Sequence, residues 1–300
     1  MSVVPPAASA ANQGAPIQGP GAITTGPDGA LWFTNFNSIG RITPSGRITI
    51  FTGSGIFAPE GIATGPDGAL WFTNHNSIGR ITTSGRVTIF TGKGIAGPGA
   101  IARGPDGALW FTDGGKSIGR ITTTGKVTIF TAKGINYPAG ITAGPQGALW
   151  FTNGPTSIGR ITTRGKVTIF SGIRGGSGIS TPRGITTSGS TLWFACDEEA
   201  VGRLTMAGKS TVFTDVKVYQ QNATTLDVTK GPNGDIWFTA TNDLIGMITP
   251  GGHFTNYTAS GINDPQAITV GPDGALWFSD TGANSIGRIT TRGAVTFYGG

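Results

Sequence analysis

The imidazole and carboxylate side chains set the limits on what chemistry this 300-residue chain can do. His75 and His253 are its only histidines, and Cys196 is its only cysteine. A lone cysteine makes no internal disulfide, so it says nothing about redox compartment. Among the fifteen acidic residues, Asp197-Glu198-Glu199 is the one cluster, and carboxylate oxygens of this kind suit a hard cation such as Mg²⁺. A solvated loop is the competing reading of the same run. A second acidic set is periodic, Asp28, Asp67, Asp106 and Asp273, each inside a Gly-Pro-Asp-Gly tetrapeptide. Gln146 and Asn233 replace it elsewhere, which points to a turn former rather than a calcium ligand.

These residues sit in a repeat. Trp32, Trp71, Trp110, Trp150, Trp193, Trp237 and Trp277 are spaced by 39, 39, 40, 43, 44 and 40 residues. Around Trp71, four runs rich in Ile, Val, Thr, Phe and Trp read as strands: 61–64 (A), 69–74 (B), 77–82 (C) and 86–91 (D). Pro pre-sets φ and Gly accepts positive φ in the turns between them. No segment keeps a 3.6-residue apolar period. Leu70 and Phe72 point to one side of strand B and Trp71 to the other, so each four-stranded sheet is apolar on both faces. Radial stacking of seven such sheets buries both faces and leaves only short edges. The chain is therefore expected to be all-β, a seven-bladed β-propeller of four-stranded antiparallel blades. It should span 19–300, with 1–18 as a flexible tail. The recurrent strand-C glycine, Gly119 for example, is expected to make room for an aromatic of the neighbouring sheet. The last repeat carries its own outer strand at 294–298, and the tail holds no matching segment, so no Velcro exchange between chain ends is expected.

Composition agrees. The 52 Gly and 18 Pro suit many short strands and tight turns, and seven Trp with sixteen Phe argue against disorder. The net charge of +6 suggests an acidic partner, yet most of the basic residues recur at two fixed repeat positions. Charge spread round a ring is not a nucleic-acid footprint, which clusters on one face. The strand-C arginines, such as Arg80 and Arg120, are expected to tie blades together through backbone carbonyls. No apolar run is long enough for a helical membrane span. Met1 to Pro20 has neither a charged n-region nor an apolar h-region and fits a linker.

In such a meander the D–A and B–C connections emerge on one face and the A–B and C–D turns on the other. The second face is monotonous. The first is varied: its D–A loops supply Phe57, Glu60, Tyr137, Arg183, Tyr219, Asp264 and Gln266, and its B–C loops supply Phe36, His75, Asp113, Asp197, Glu198, Glu199 and Asp280. Variable loops on a repetitive scaffold are how a fold presents a binding site. His75 belongs to this face and His253 to the opposite one, so no two-histidine mechanism is available. A Ser-His-Asp triad would have to use His75 alone, and no nucleophile elbow is present.

The run GPDGALWFTNxNSIGRITTxG, in variants from Gly26 to Gly293, resembles the repeat of the streptogramin B (virginiamycin B) lyases. That resemblance implies a propeller whose enzymes open a macrolactone by elimination, with a histidine as base and Mg²⁺ polarising the ester. It puts the histidines directly after a proline at the start of strand A. The matching positions here are Gly21, Glu60, Gly99, Ala139, Arg183, Leu226 and Gln266, none of them histidine. For the metal-binding glutamates the nearest matches are Asp264 and Asp197, in different blades. The leading expectation is a non-catalytic, lyase-like propeller with no cofactor. It would bind a small molecule or protein on the varied face through Glu60, His75, Tyr137, Arg183, Asp197, Glu198, Glu199, Asp264 and Gln266. The chain is expected to be a monomer, with neither nucleic acid nor membrane as partner. The alternatives are a lyase with relocated catalytic groups, which would use Mg²⁺, and a structural scaffold, natural or engineered.

Overall fold

In the computed structural model, residues 2–8, 10–12, 16–172, 181–197, 200–214 and 224–299 are described. Seven antiparallel meanders follow one another, each ordered A-B-C-D from the centre outward. Blade 3 is typical, with strand A Pro98–Arg103, B Leu109–Asp113, C Ser117–Ile121 and D Val127–Thr131. Blade 7 ends on its own outer strand, Val295–Gly299, as the repeat pattern implies. The ring closes through side chains: Thr281 donates to the Pro20 carbonyl and Thr25 to the Val270 carbonyl. Apolar packing closes it too, because Trp277 and Ile286 of blade 7 share a core with Leu31, Phe33 and Ile42 of blade 1.

The sequence reading leaves residues 1–18 as a flexible tail. The structure has two strands there, Ser2–Ala8 along the outer strand of blade 2 and Ala10–Asn12 along that of blade 1. Outer strands present unpaired backbone groups, and an extended neighbouring segment can pair with them.

Each blade interface joins the Trp face of one sheet to the Leu/Phe face of the next. Trp110 and Ile118 of blade 3 pack with Leu149, Phe151 and Ile161 of blade 4, all fully buried. Trp110 also stacks on Phe130 of its own strand D, with centroids 5.2 Å apart. Two expectations need correction. The strand-C glycine makes room for an aromatic of its own sheet: Gly119 lies opposite Phe111, and a Cβ there would sit 2.1 Å from the Phe111 ring. Cross-strand partners share one face, so the nearest large ring comes from strand B. The strand-C arginines mostly bind within their own blade. Arg41, Arg80, Arg120 and Arg288 donate from Nε to Asp28, Asp67, Asp106 and Asp273 at 2.6–2.7 Å. Among the described residues, only Arg203 of this set reaches another blade, donating to the Pro250 carbonyl at 3.0 Å. The turn aspartates are thus hubs, since the other oxygen of each accepts the indole N–H of the blade's tryptophan.

Candidate functional site

The seven inner strands converge on a funnel of about 930 Å³, lined mostly by their first residues. Its walls are set by a recurrent device. The residue before the strand-A proline takes a left-handed conformation in Ala58, Tyr137, Thr181 and Asp264, with φ between 44 and 65°. Such a conformation is uncommon outside glycine. Here the preceding blade helps hold it: Ala58 N–H donates to Asn37 Oδ1 at 3.0 Å, and Asp264 N–H to Asp243 Oδ1 at 2.9 Å. Strand-B threonines lace the inner ends together, with Thr34 donating to the Glu60 carbonyl and Thr239 to the Gln266 carbonyl.

The funnel brings together four of the expected residues, Glu60, Arg183, Asp264 and Gln266. Glu60 is exposed, and its carboxylate has no hydrogen-bond or ion-pair partner among the described residues. Arg183 lies three blades further round and donates from Nε to Asp197 Oδ1 at 3.3 Å. Asp197 is therefore an anchor for Arg183 and does not itself line the funnel. Gln266 Nε2 donates to Asp264 Oδ1 at 2.7 Å. His75 and Tyr137 stand outside the lining. The His75 ring meets Phe57 edge-on at 5.4 Å, and Tyr137 is 72% exposed on the same face. Glu198, Glu199 and Tyr219 lie outside the described residues. His253 sits in the C–D turn of blade 6, donating its N–H to Thr249 Oγ1, far along the blade from strand A. A Gly-Xaa-Ser-Xaa-Gly string does occur at Gly115–Gly119. It makes no nucleophile elbow, because Ser117 is buried at the start of strand C and donates toward Asp113.

Sequence reasoning missed Asp227. It lines the funnel at a strand-A position that is Ala22, Gly61, Ala100, Gly140, Gly184 and Ala267 in the other blades. That contrast was the available signal. Asp227 accepts the Val228 N–H at 2.9 Å and the Ile268 N–H of blade 7 at 3.0 Å. A Cβ on Gly184 would lie 2.3 Å from Asp227 Oδ1, so glycine in blade 5 makes room for it. Burial pushes the Asp227 carboxyl up to about 6, against the two backbone N–H groups that favour its charged form. Asp280 is also pushed up to about 6, by burial first, with Asp243 and Asp264 adding like-charge repulsion. Burial likewise raises Asp113.

The magnesium that the family resemblance implies does not fit these groups. Asp197 is taken by Arg183, Asp264 Oδ1 by Gln266, and the two Asp280 oxygens by Asn263 N–H and Ser285. Among the described residues, no three His, Cys, Asp or Glu side chains converge as a metal site, whereas a hard cation needs several converging oxygens.

The profile of the virginiamycin B lyase family matches residues 9–174 and 175–299. A streptogramin B lyase structure is 31% identical, with 96% of this chain and 97% of that chain covered and a TM-score of 0.82. The virginiamycin B lyase of Staphylococcus aureus is 32% identical over 93% of this chain and 98% of its own, with a TM-score of 0.80. A catalytically inactive histidine-to-alanine variant of that enzyme with quinupristin is 32% identical, covering 90% and 87%, with a TM-score of 0.72. The WD40 propeller of Doa1, at 12% identity and a TM-score of 0.74, shares the fold alone. Curated protein sequences give no match. With that profile matched over residues 9–174 and 175–299, the chain belongs to the virginiamycin B lyase family.

Proposed function

We propose that this propeller is a non-catalytic member of its family that binds a ligand in the central funnel. One observation carries the reading: the ring of strand-A positions assigned to the family's histidines holds Gly21, Glu60, Gly99, Ala139, Arg183, Leu226 and Gln266. The related enzyme with a single histidine replaced by alanine is catalytically inactive. His75 cannot stand in for it, because it sits at the rim against Phe57 and outside the funnel lining. What the funnel keeps is a binding cavity of drug-sized volume with a few fixed polar groups on an apolar wall. Crystals soaked in quinupristin test this reading. An intact macrocycle in the funnel supports it. An opened macrocycle there overturns the non-catalytic half, and density confined to other faces overturns the funnel.

A second reading, a carbon–oxygen lyase with relocated groups, draws on Asp227. A carboxyl raised to about 6 beside a ligand cavity is a serviceable base near neutral pH. Its two oxygens are already engaged by backbone N–H groups, which favours the structural role.

A further inference from the structure

The funnel has a side chamber of about 360 Å³ at the inner end of blade 3. It shares Glu60, Ala100 and Ala139 with the funnel, so the two spaces adjoin along these residues. Glycines form much of the chamber wall. Its walls are Gly97, Gly99, Gly114 and Gly115, with Thr112 and Asp113 behind them. At the ring position where blade 3 has Gly99, blades 2 and 5 carry Glu60 and Arg183, and a Cβ on Gly99 would sit 3.8 Å from Glu60 Oε2. In the B–C loop, Gly114-Gly115-Lys116 stands where blades 1 and 2 have Phe36-Asn37 and His75-Asn76.

The chamber's charge has one sign. Among the described residues, Glu60 and Asp113 are its only titratable walls, and Lys116 next to Gly115 does not line it. Asp113 is satisfied, accepting from Ala96 N–H at 2.8 Å and Ser117 at 3.1 Å. Glu60 has no partner among the described residues. A carboxylate that lines both cavities, with no cation partner among the described residues, offers a charge-assisted hydrogen bond to a donor brought by a ligand. The Tyr137 ring packs against Gly115, where a Cβ would lie 3.2 Å from it, and stands outside the chamber lining.

We propose that the side chamber of blade 3 is a subsite for a primary ammonium group, held by Glu60, on a ligand whose body lies in the funnel. The assignment deepens the ligand-binding reading and rests on it. The glycine walls leave space for a slim alkylammonium stem. Arg183, on the far side of the ring, suits the opposite charge on the same ligand.

The test uses three phenylalkyl probes that differ in their polar group: phenethylamine, phenethyl alcohol and the slightly larger hydrocinnamate. Each is titrated into the isotope-labelled protein while backbone amides are followed by NMR. The amine should shift the amides of Gly99, Gly114 and Gly115 and bind about tenfold or more tightly than the alcohol. Hydrocinnamate should leave these amides unmoved. Glu60→Gln, at an exposed and unpartnered position, should fold normally and abolish the preference for the amine. Equal binding of amine and alcohol overturns the subsite, as does a preference that survives Glu60→Gln or shifts confined to other blades. These outcomes are separate from turnover of quinupristin, on which the non-catalytic reading stands or falls.

Discussion

Arg80 donates its Nε–H to Asp67 Oδ2 at 2.6 Å, while Asp67 Oδ1 takes the Trp71 indole N–H at 3.0 Å. Blades 1, 3 and 7 repeat this arrangement, and blade 4 breaks it. Gln146 stands where the aspartate should be, in a left-handed conformation with φ 64°. Trp150 turns instead to the Pro145 carbonyl at 3.2 Å, and Arg160 Nε is left buried without a hydrogen-bond partner.

Gln146→Asp should therefore stabilise the fold by about 1 kcal/mol, by giving Arg160 and Trp150 a shared acceptor. Urea denaturation of the two proteins at pH 7 reads the difference as a higher midpoint. A lower midpoint would mean that the carboxylate does not reach Arg160.

Trp110→Ala should cost about 3–5 kcal/mol, because it empties a fully buried site between blades 3 and 4 and removes the stack on Phe130. A loss under about 1 kcal/mol in denaturant titration would remove the tryptophan from the interface's energetics.

Stability should fall as pH rises from about 4 to about 6. Asp227 and Asp280 are raised from 3.8 to about 6, so in this window the folded chain holds protons that the unfolded chain has released. Asp227→Asn should remove part of that fall, roughly 1–3 kcal/mol. The turn aspartates act the other way. Burial pushes Asp67 up, but the Trp71 and Arg80 hydrogen bonds outweigh it and hold the carboxyl below its ordinary value. Their contribution is lost as pH falls below about 4. Denaturation midpoints across pH 3–8 should pass through a maximum on the acid side, and a flat profile from pH 4 to 6 would contradict the raised carboxyls of Asp227 and Asp280.

The period of the tryptophans made the blades and their closure legible, because strand alternation and turn chemistry repeat in step with it. Partners within a blade were harder to read. Gly119 faces Phe111 through the register of strands B and C, which spacing alone does not determine. The Arg–Asp pairs left a trace in composition: blade 6 has Met247 and Asn233 in place of both partners, and Asn233 Nδ2 now contacts Met247 Sδ at 3.5 Å. Glu60, Arg183, Asp264 and Gln266 were visible because they belong to the varied D–A loops. Asp227 was hidden because blade 6 enters strand A as Thr225-Leu226-Asp227, without the proline that marks the position in the other blades. The side chamber was hidden because four of its walls are glycines, which carry no chemical signal in the sequence.

The measurement that bears most directly on the account is the fate of quinupristin in solution. The protein is incubated with the antibiotic near neutral pH, with and without added Mg²⁺, and the intact macrocycle is followed by mass spectrometry. Elimination needs an unprotonated base within hydrogen-bond reach of the carbon-bound proton, and imidazole supplies one at this pH. With Arg183 and Gln266 at two of the ring positions and His75 outside the funnel, the macrocycle should stay intact under both conditions. Opening of the ring by the wild-type chain, lost in Asp227→Asn or in the Glu60→Gln, His75→Ala double variant, would contradict the non-catalytic reading and establish a relocated active site.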